Sequence, residues 1–492
     1  MGLSLALNTA RSSLQASSSQ MAVISRNTAG ATDPSYSRKV ATLITGGGMA
    51  RVTVSRASDA ALFFKMLGTT STAAGQQAVL SGLERLSQTV GDTALNKSPA
   101  AQLSALNSAL LLYANKPDNL ILARSVIDQA TTLATTLNEA TGTVQKVREE
   151  ADAAIAESVS RVKDLLGQFE TLNKAVIKGT AAGIDISDEL DARDNILAQL
   201  SEEMGINVVT RENNDMAIYT DSGVALFDKT PREISFTQTY KYSAVSPVTV
   251  GSAVVIDGVP VTGSSPMPLH AGRLVGLVSV RDEITVQYQG QLDEIARGLI
   301  EIFAEADQSP PPVDVSRTGL FTYGDSSTVP GPALPDPTLK GLAGLITVSS
   351  RIDPTKGGDP ERLRDGGVNG ADYTYNPGSN AAFAERLSEI AGKLVADRTF
   401  DPATGLGSTM NIQVLAQASA GWLEASRKTA SASADYQTTL LGHASDALSN
   451  ATGVNMDDET ALMLQIEKSY SASAKLISVI NEMLRVLLNT VG

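Results

Sequence analysis

Side chains able to do chemistry are sparse in this chain. There are two histidines, His270 and His443, and no cysteine. The histidines lie far apart in sequence with no ligand cluster beside either, so each reads as a structural residue rather than a base or a metal ligand. Lack of cysteine excludes disulfides and thiolate metal sites and is compatible with life outside the cell. The densest carboxylate group is Asp188, Glu189, Asp191 and Asp194. Hydrolysis or cation binding needs acids converging in a cleft. Here Arg193 interleaves, and the helical spacing reads as a solvated helix face. Gly46-Gly47-Gly48 is no phosphate loop, since no Gly-Lys-Ser/Thr follows, and reads as a hairpin tip. Trp422, the only tryptophan, reads as a packing anchor on a helix. No Ser-His-Asp set and no nucleotide motif stands out. The expectation is a protein that is not an enzyme, with no catalytic residue, cofactor or metal.

Composition narrows the class further. At 492 residues the chain is long enough for two to four domains. Hydrophobic residues make up 42% and aromatics only 4%, which suits long helices with small interface residues better than a deep enzyme core. A net charge of −14 disfavours nucleic acid, because phosphate contacts need clustered Lys and Arg. No apolar run approaches the ~18 residues that span a bilayer, so no membrane insertion is expected. Residues 1–32 hold Arg11 and Arg26, many Ser and Thr and no acid, a pattern that an organellar transit peptide shares. It is not a secretory signal.

The elements that organise the chain are its two ends. Asn455-Met456-Asp457-Asp458-Glu459 offers a cap and three acids for the positive end of a helix dipole. Leu462, Ile466, Leu476, Ile480, Met483 and Leu487 then recur at alternating steps of four and three, with Ser469 and Ser473 in the two remaining seam positions. This heptad stripe predicts a helix that packs lengthwise on another, running roughly 50 Å. Leu3, Leu7, Ala10, Leu14, Ser17, Met21 and Ile24 repeat the alternation. The two termini are therefore expected to pair, with everything between them an insertion. Two amphipathic helices on an ordinary globular domain would give the same periodicity.

Between the ends the period changes several times. Val40 to Ile44 and Val52 to Val54 are short β-like runs. Leu62 to Asn115 is helical, Lys116-Pro117-Asp118 breaks the pattern, and Ile121 to Val176 is one long apolar face expected to end at Gly179. From Ile206 the period becomes two. Met216 to Thr220 and Val224 to Phe227 flank Asp221-Ser222-Gly223, and Val254 to Val261 centres on Asp257-Gly258. Both read as hairpins. Helical character returns from Leu269 to Ala306, and Ser309-Pro310-Pro311-Pro312 ends it. Residues 311–380 are rich in Gly, Pro and Asp. Ala381 to Val395 and Ile412 to Leu448 are helical again.

Several local motifs carry a resemblance. After the first helix, Asn27, Ala29, Pro34, Tyr36, Ser37 and Arg38 match a motif that bacterial flagellar axial proteins carry there. The chain departs from it at Gly30, Asp33 and Ser35. Asn115-Lys116-Pro117-Asp118-Asn119, Asp188 to Asp194 with Met204-Gly205, and Gly453 to Glu459 resemble the hook-associated protein 1 family within that group. So do Tyr470 to Ser478, Asn481 to Leu484 and Leu487-Leu488-Asn489. The resemblance covers both ends and the helical middle, but not residues 311–380. It implies a structural subunit at the hook–filament junction, exported without cleavage through the flagellar apparatus and found in the extracellular flagellum. The implied partners are the flagellar hook protein, the second hook–filament junction protein, a flagellar export chaperone, and further copies of the chain in a ring or helical lattice.

The expected fold is α+β and multidomain. Residues 1–38 with 455–492 form a terminal coiled coil. Residues 39–205 with 268–310 and 380–454 form an elongated helical-bundle middle domain. Residues 206–267 with 311–379 form an inserted β-rich outer domain. Leu3, Leu7, Leu14, Met21, Ile24, Leu462, Ile466, Leu476, Ile480, Met483 and Leu487 are the expected assembly interface. Another axial protein (hook protein or the second junction protein) or a non-flagellar signalling or adhesion rod remain the alternatives.

Overall fold

A single helix of 63 residues, Leu120–Ala182, sets the scale of the molecule, at roughly 95 Å by the helical rise. The computed structural model describes residues 2–46, 49–90, 98–245, 251–313, 315–324, 326–331 and 340–491. The chain opens with α1 (Gly2–Gly30) and a hairpin of β1 (Lys39–Gly46) and β2 (Met49–Arg56), paired antiparallel. Gly47 and Gly48, at the expected hairpin tip, lie outside the described residues. Three helices follow: α2 (Ala60–Val90), α3 (Pro99–Asn115) and α4, the long one. Next come α5 (Ser187–Glu203) and a meander of β3 (Ile206–Thr210), β4 (Met216–Thr220), β5 (Ala225–Asp228) and β6 (Thr230–Pro231). β7 (Ile234–Ser235), β8 (Val255–Ile256) and β9 (Val259–Pro260) make a second small sheet. Both hairpins expected from the period-two stretches are present, the first as part of the longer meander.

α6 (Arg273–Ser279) continues through a π-helical turn, Val280–Ile284, into α7 (Thr285–Ile302). Short elements follow: β10 (Phe321–Tyr323) pairs with β11 (Ile346–Val348), then α8 (Arg362–Asp365), α9 (Glu385–Val395), and β12 (Arg398–Thr399) paired with β13 (Thr409–Met410). α10 (Ile412–Thr452) and α11 (Met456–Val491) close the chain. The result is mostly helical, with small antiparallel sheets and long helices at the C-terminal end.

The local chemistry explains the helix ends. Asn119 Oδ1 accepts the backbone N–H groups of Ile121 (2.9 Å) and Leu122 (3.3 Å), which caps α4. Its other end corrects the expectation that Gly179 stops the helix. The helix continues to Ala182 and ends where Gly183 takes φ 63°, a left-handed conformation that costs glycine nothing. Gly179 serves packing instead: a Cβ there would collide with the Ile186 side chain as the chain folds back.

The α4 face from Ala123 to Phe169 supplies two hydrophobic clusters. The first runs from Ala123 to Ala151 and gathers α2, α3, α7 and α10. It also takes Leu320, Phe321, Leu342, Ile346 and Leu363 from the 311–379 stretch. The second runs from Ile155 to Phe169 and gathers α5, α6 and the strands between Met216 and Val261. The two stretches grouped by sequence into one β-rich outer domain thus bury their apolar residues in different clusters. The later one carries strands of only three residues and uses its apolar side chains to cover the helical bundle. Trp422 stacks on Tyr288, with ring centroids 6.3 Å apart.

Between the two clusters lies a polar waist. Asp152 is fully buried and accepts from Arg281 Nη1 (2.5 Å), the Tyr242 hydroxyl (2.9 Å) and Thr239 N–H (2.6 Å). Arg148 sits 4.4 Å from the centre of the Tyr242 ring and donates to the Arg281 carbonyl. Leaving any one of these buried groups without its partner would cost the desolvation of the other.

Candidate assembly site

The end of α1 and the start of α11 meet in one polar cluster, and the family motif lies inside it. Asn27 is buried. Its amide donates to the Lys39 carbonyl (2.9 Å) and to Glu459 Oε2 (3.0 Å), and its Oδ1 accepts from Lys39 N–H (2.9 Å) and the Tyr36 hydroxyl (2.9 Å). No other side chain of similar size offers two donors and a two-fold acceptor at that place. Arg38 Nε donates to Glu459 Oε1 at 2.6 Å. The Gly30–Tyr36 turn closes on itself: a Cβ on Gly30 would strike the Tyr36 ring, which accounts for the Gly at that position. Tyr36 is pushed up to about 12, chiefly by burial. Ala29 and Pro34 are exposed, Tyr36, Ser37 and Arg38 half-buried.

Lys39 extends the cluster into the body. Its ammonium has no exposed side-chain surface and pairs with Asp191 and, at 3.3 Å, with Asp188. Arg56 pairs with Asp191 (3.1 Å) and Asp194 (2.6 Å), and Arg26 with Asp185 (3.1 Å). Burial would raise Asp185, but hydrogen bonds from Ser187 and Arg26 hold it below its ordinary value. Burial raises Asp194. The acid-rich turn of α5 is therefore not the solvated face that its spacing suggests. It is a clasp on three cations, and Arg193 is itself buried, donating to Asn173 (3.0 Å) and the Asn214 carbonyl (2.6 Å). Helix periodicity cannot show partners that arrive from residues 26–56.

Beyond the clasp, α1 and α11 lie antiparallel: Ser13 and Ser473 hydroxyls meet at 3.0 Å, and Asn27 meets Glu459. Glu459, Ile466, Ser473 and Ile480, spaced by seven, are all buried against α1. The second line of the stripe is not. Leu462, Leu476 and Met483 are 37%, 56% and 52% exposed, and Leu487, one step of seven beyond Ile480 on the first line, is 55% exposed as well. On α1, Ile24 is buried and Leu7, Leu14 and Met21 are half-buried; the Leu3 side chain lies outside what is described. The interface expected from sequence is thus divided: one line of α11 is used within the chain and the other faces outward. Sequence reasoning missed Lys39 and took Glu459 only as a first-turn acid, although the seven-residue step from Ile466 to Glu459 was there to find.

Neither histidine joins this site. His270 is exposed beside Asp221 (3.7 Å), and His443 is exposed on α10. Among the described residues no cluster of three or more His, Asp or Glu is arranged to hold a metal, and no helix is long and apolar enough to cross a membrane.

Comparison with known proteins bears on the same regions. Residues 80–309, the helical body, match the flagellar hook-associated protein FlgK helical domain. Residues 447–490, which hold α11 and Glu459, match the flagellar basal body rod FlgEFG protein C-terminal. Flagellar hook-associated protein 1 of Bacillus subtilis is 23% identical over 421 residues, covering 79% of this chain and 77% of that protein. These matches support the flagellar hook-associated protein 1 family for this chain. The Salmonella typhimurium member is also 23% identical, over 321 residues, with 61% of this chain and 56% of that protein covered. Among solved structures, the flagellar hook junction protein FlgK from Burkholderia pseudomallei gives a TM-score of 0.42 at 18% identity. That match covers 53% of this chain and 47% of that one, a likeness too slight to bear on the fold. Together the matches support a structural component of the flagellar axis.

Proposed function

We propose that the chain is the subunit that joins the flagellar hook to the filament, assembled through its terminal helices. The outward line of α11 carries this reading: Leu462, Leu476 and Met483 are exposed on a helix whose other line is buried from Glu459 to Ile480. Exposed apolar rows of this kind mark contact surfaces. Heterologous contacts between copies repeat such a surface around a ring or helical lattice, with the hook protein on one side and the second junction protein on the other. Before export the same row is an aggregation hazard, which an export chaperone on Leu462–Gly492 would cover. The protein would then pass unfolded through the cytoplasm and export channel to the extracellular flagellum.

Electron microscopy of a deletion strain tests the junction role. Bare hooks with filament subunits shed into the medium are expected; filaments still attached to hooks would exclude it. The C-terminal match to rod proteins favours a second reading, a subunit placed nearer the rod, and loss of hooks altogether in the same strain would support that instead. For the chaperone, a pull-down with the chain truncated before Leu462 should lose binding.

A further inference from the structure

The boundary between the terminal helices and the body is built from charge. Neither hydrophobic cluster contains a described residue of 2–56 or 453–491. Among the described residues what crosses it, besides the two chain connections and a hydrogen bond from Arg38 N–H to the Thr452 carbonyl (2.8 Å), is chiefly the clasp: Arg26 to Asp185 and Asp188, Lys39 to Asp188 and Asp191, Arg56 to Asp191 and Asp194. Ser37 N–H adds a bond to Asp191 at 3.3 Å.

We propose that this boundary is a pivot, and that Asp191 is the pin that fixes the tilt of the terminal helix pair relative to the body. The reason is what opening exposes. Parting an apolar interface costs in proportion to the area wetted. Parting ion pairs returns both partners to water, which nearly replaces what they lose. The tilt is therefore the soft coordinate of the molecule. The pair itself stays rigid, because Ile466, Ile480 and Ile24 are buried inside it. Asp191 is the pin because it alone accepts from both β1 and β2, through Lys39 and Arg56, while also receiving Ser37 N–H. A neighbouring molecule that grips the pair can reset its angle without unfolding either part.

The absence of native cysteine allows clean spin labelling of the full chain. One label pair, Gln168→Cys with Lys468→Cys, spans the boundary; the other, Ser18→Cys with Lys468→Cys, lies within the helix pair, and all three positions are exposed. In Asp191→Asn, Lys39 is left without its main partner and driven towards water, so the spanning distance distribution should widen about twofold. The distribution within the pair should stay as narrow as in the wild type. Arg56→Gln should widen the spanning distance as well, which covers the case that Asp191→Asn does not fold. A spanning distribution as narrow in both variants as in the wild type would overturn the proposal. So would equal widening within the pair, since the pair would then be unfolding rather than pivoting.

Discussion

The body and the terminal pair use the same kind of helix to opposite ends. Along α4, the apolar face from Ile127 to Val176 is buried throughout except for Leu172, which is half-buried, because helices and loops wrap it from several sides. Along α11, a stripe of similar apolar content is buried on one line only. The body has spent its apolar surface internally; the terminal pair has kept half of it facing outward. A stable part and an adhesive part thus come from one sequence pattern, and the difference lies in how many neighbours the chain supplies.

That contrast can be broken by mutation, most strongly in the body. Leu137→Ala opens a cavity at a fully buried position and should cost the body about 2–5 kcal/mol in thermal or urea unfolding. A loss near zero would mean the bundle is loosely packed. The next effect is a pH dependence confined to the body. Burial pushes Asp293 up to about 6, against hydrogen bonds from Ala343, Gly341 and Gln289 that favour its ionised form. The folded state therefore holds this proton more tightly than the unfolded one. Its contribution is full below the ordinary value of 3.8 and is lost as pH rises through about 6. Asp293→Asn should flatten that part of the stability–pH curve relative to the wild type, by on the order of 3 kcal/mol. Equal slopes for the two proteins would refute it.

Smaller effects are expected at the other end. Glu459→Gln removes a buried charge that Arg38 and Asn27 both hold, at about 1.5–3 kcal/mol. The loss should appear as faster amide exchange in α1 and α11 with the body's protection unchanged; a uniform loss would show one cooperative unit. Leu476→Ser, on the exposed line, should shift monomer stability by less than about 0.5 kcal/mol yet prevent incorporation into flagella, scored by sedimentation of sheared appendages. Normal incorporation would move the contact surface elsewhere.

Much of this division was legible beforehand. The heptad steps at both ends, the long face of α4 and the period-two hairpins follow from side-chain spacing alone, because helix and strand geometry impose those periods. Spacing does not reveal which of two seam lines will be covered from within the chain. That was decided by α1, whose Ser13 meets Ser473 on the line through Ile466 and Ile480 and whose Ser17 and Ile24 are buried. The clasp was illegible for a related reason. The Asp188–Asp194 segment is an ordinary amphipathic turn until residues 26–56 fold onto it, and Glu459 is an ordinary first-turn acid until Asn27 and Arg38 reach it. In the 311–379 stretch the Gly and Pro content hides that Phe321, Ile346 and Leu363 share a hydrophobic cluster with the helical bundle.

The Asn27–Glu459 bond has a consequence in time. Its two partners are separated by 432 residues, whereas α3 and α4 are neighbours joined by a short turn. Contacts of high sequence separation form late, because long loops must close before they are rewarded. The body can complete itself while the motif after α1 still waits for the last helix. The species that persists longest before completion is a finished rod with two free arms, and it is that intermediate, rather than the closed molecule, that any early-binding partner encounters.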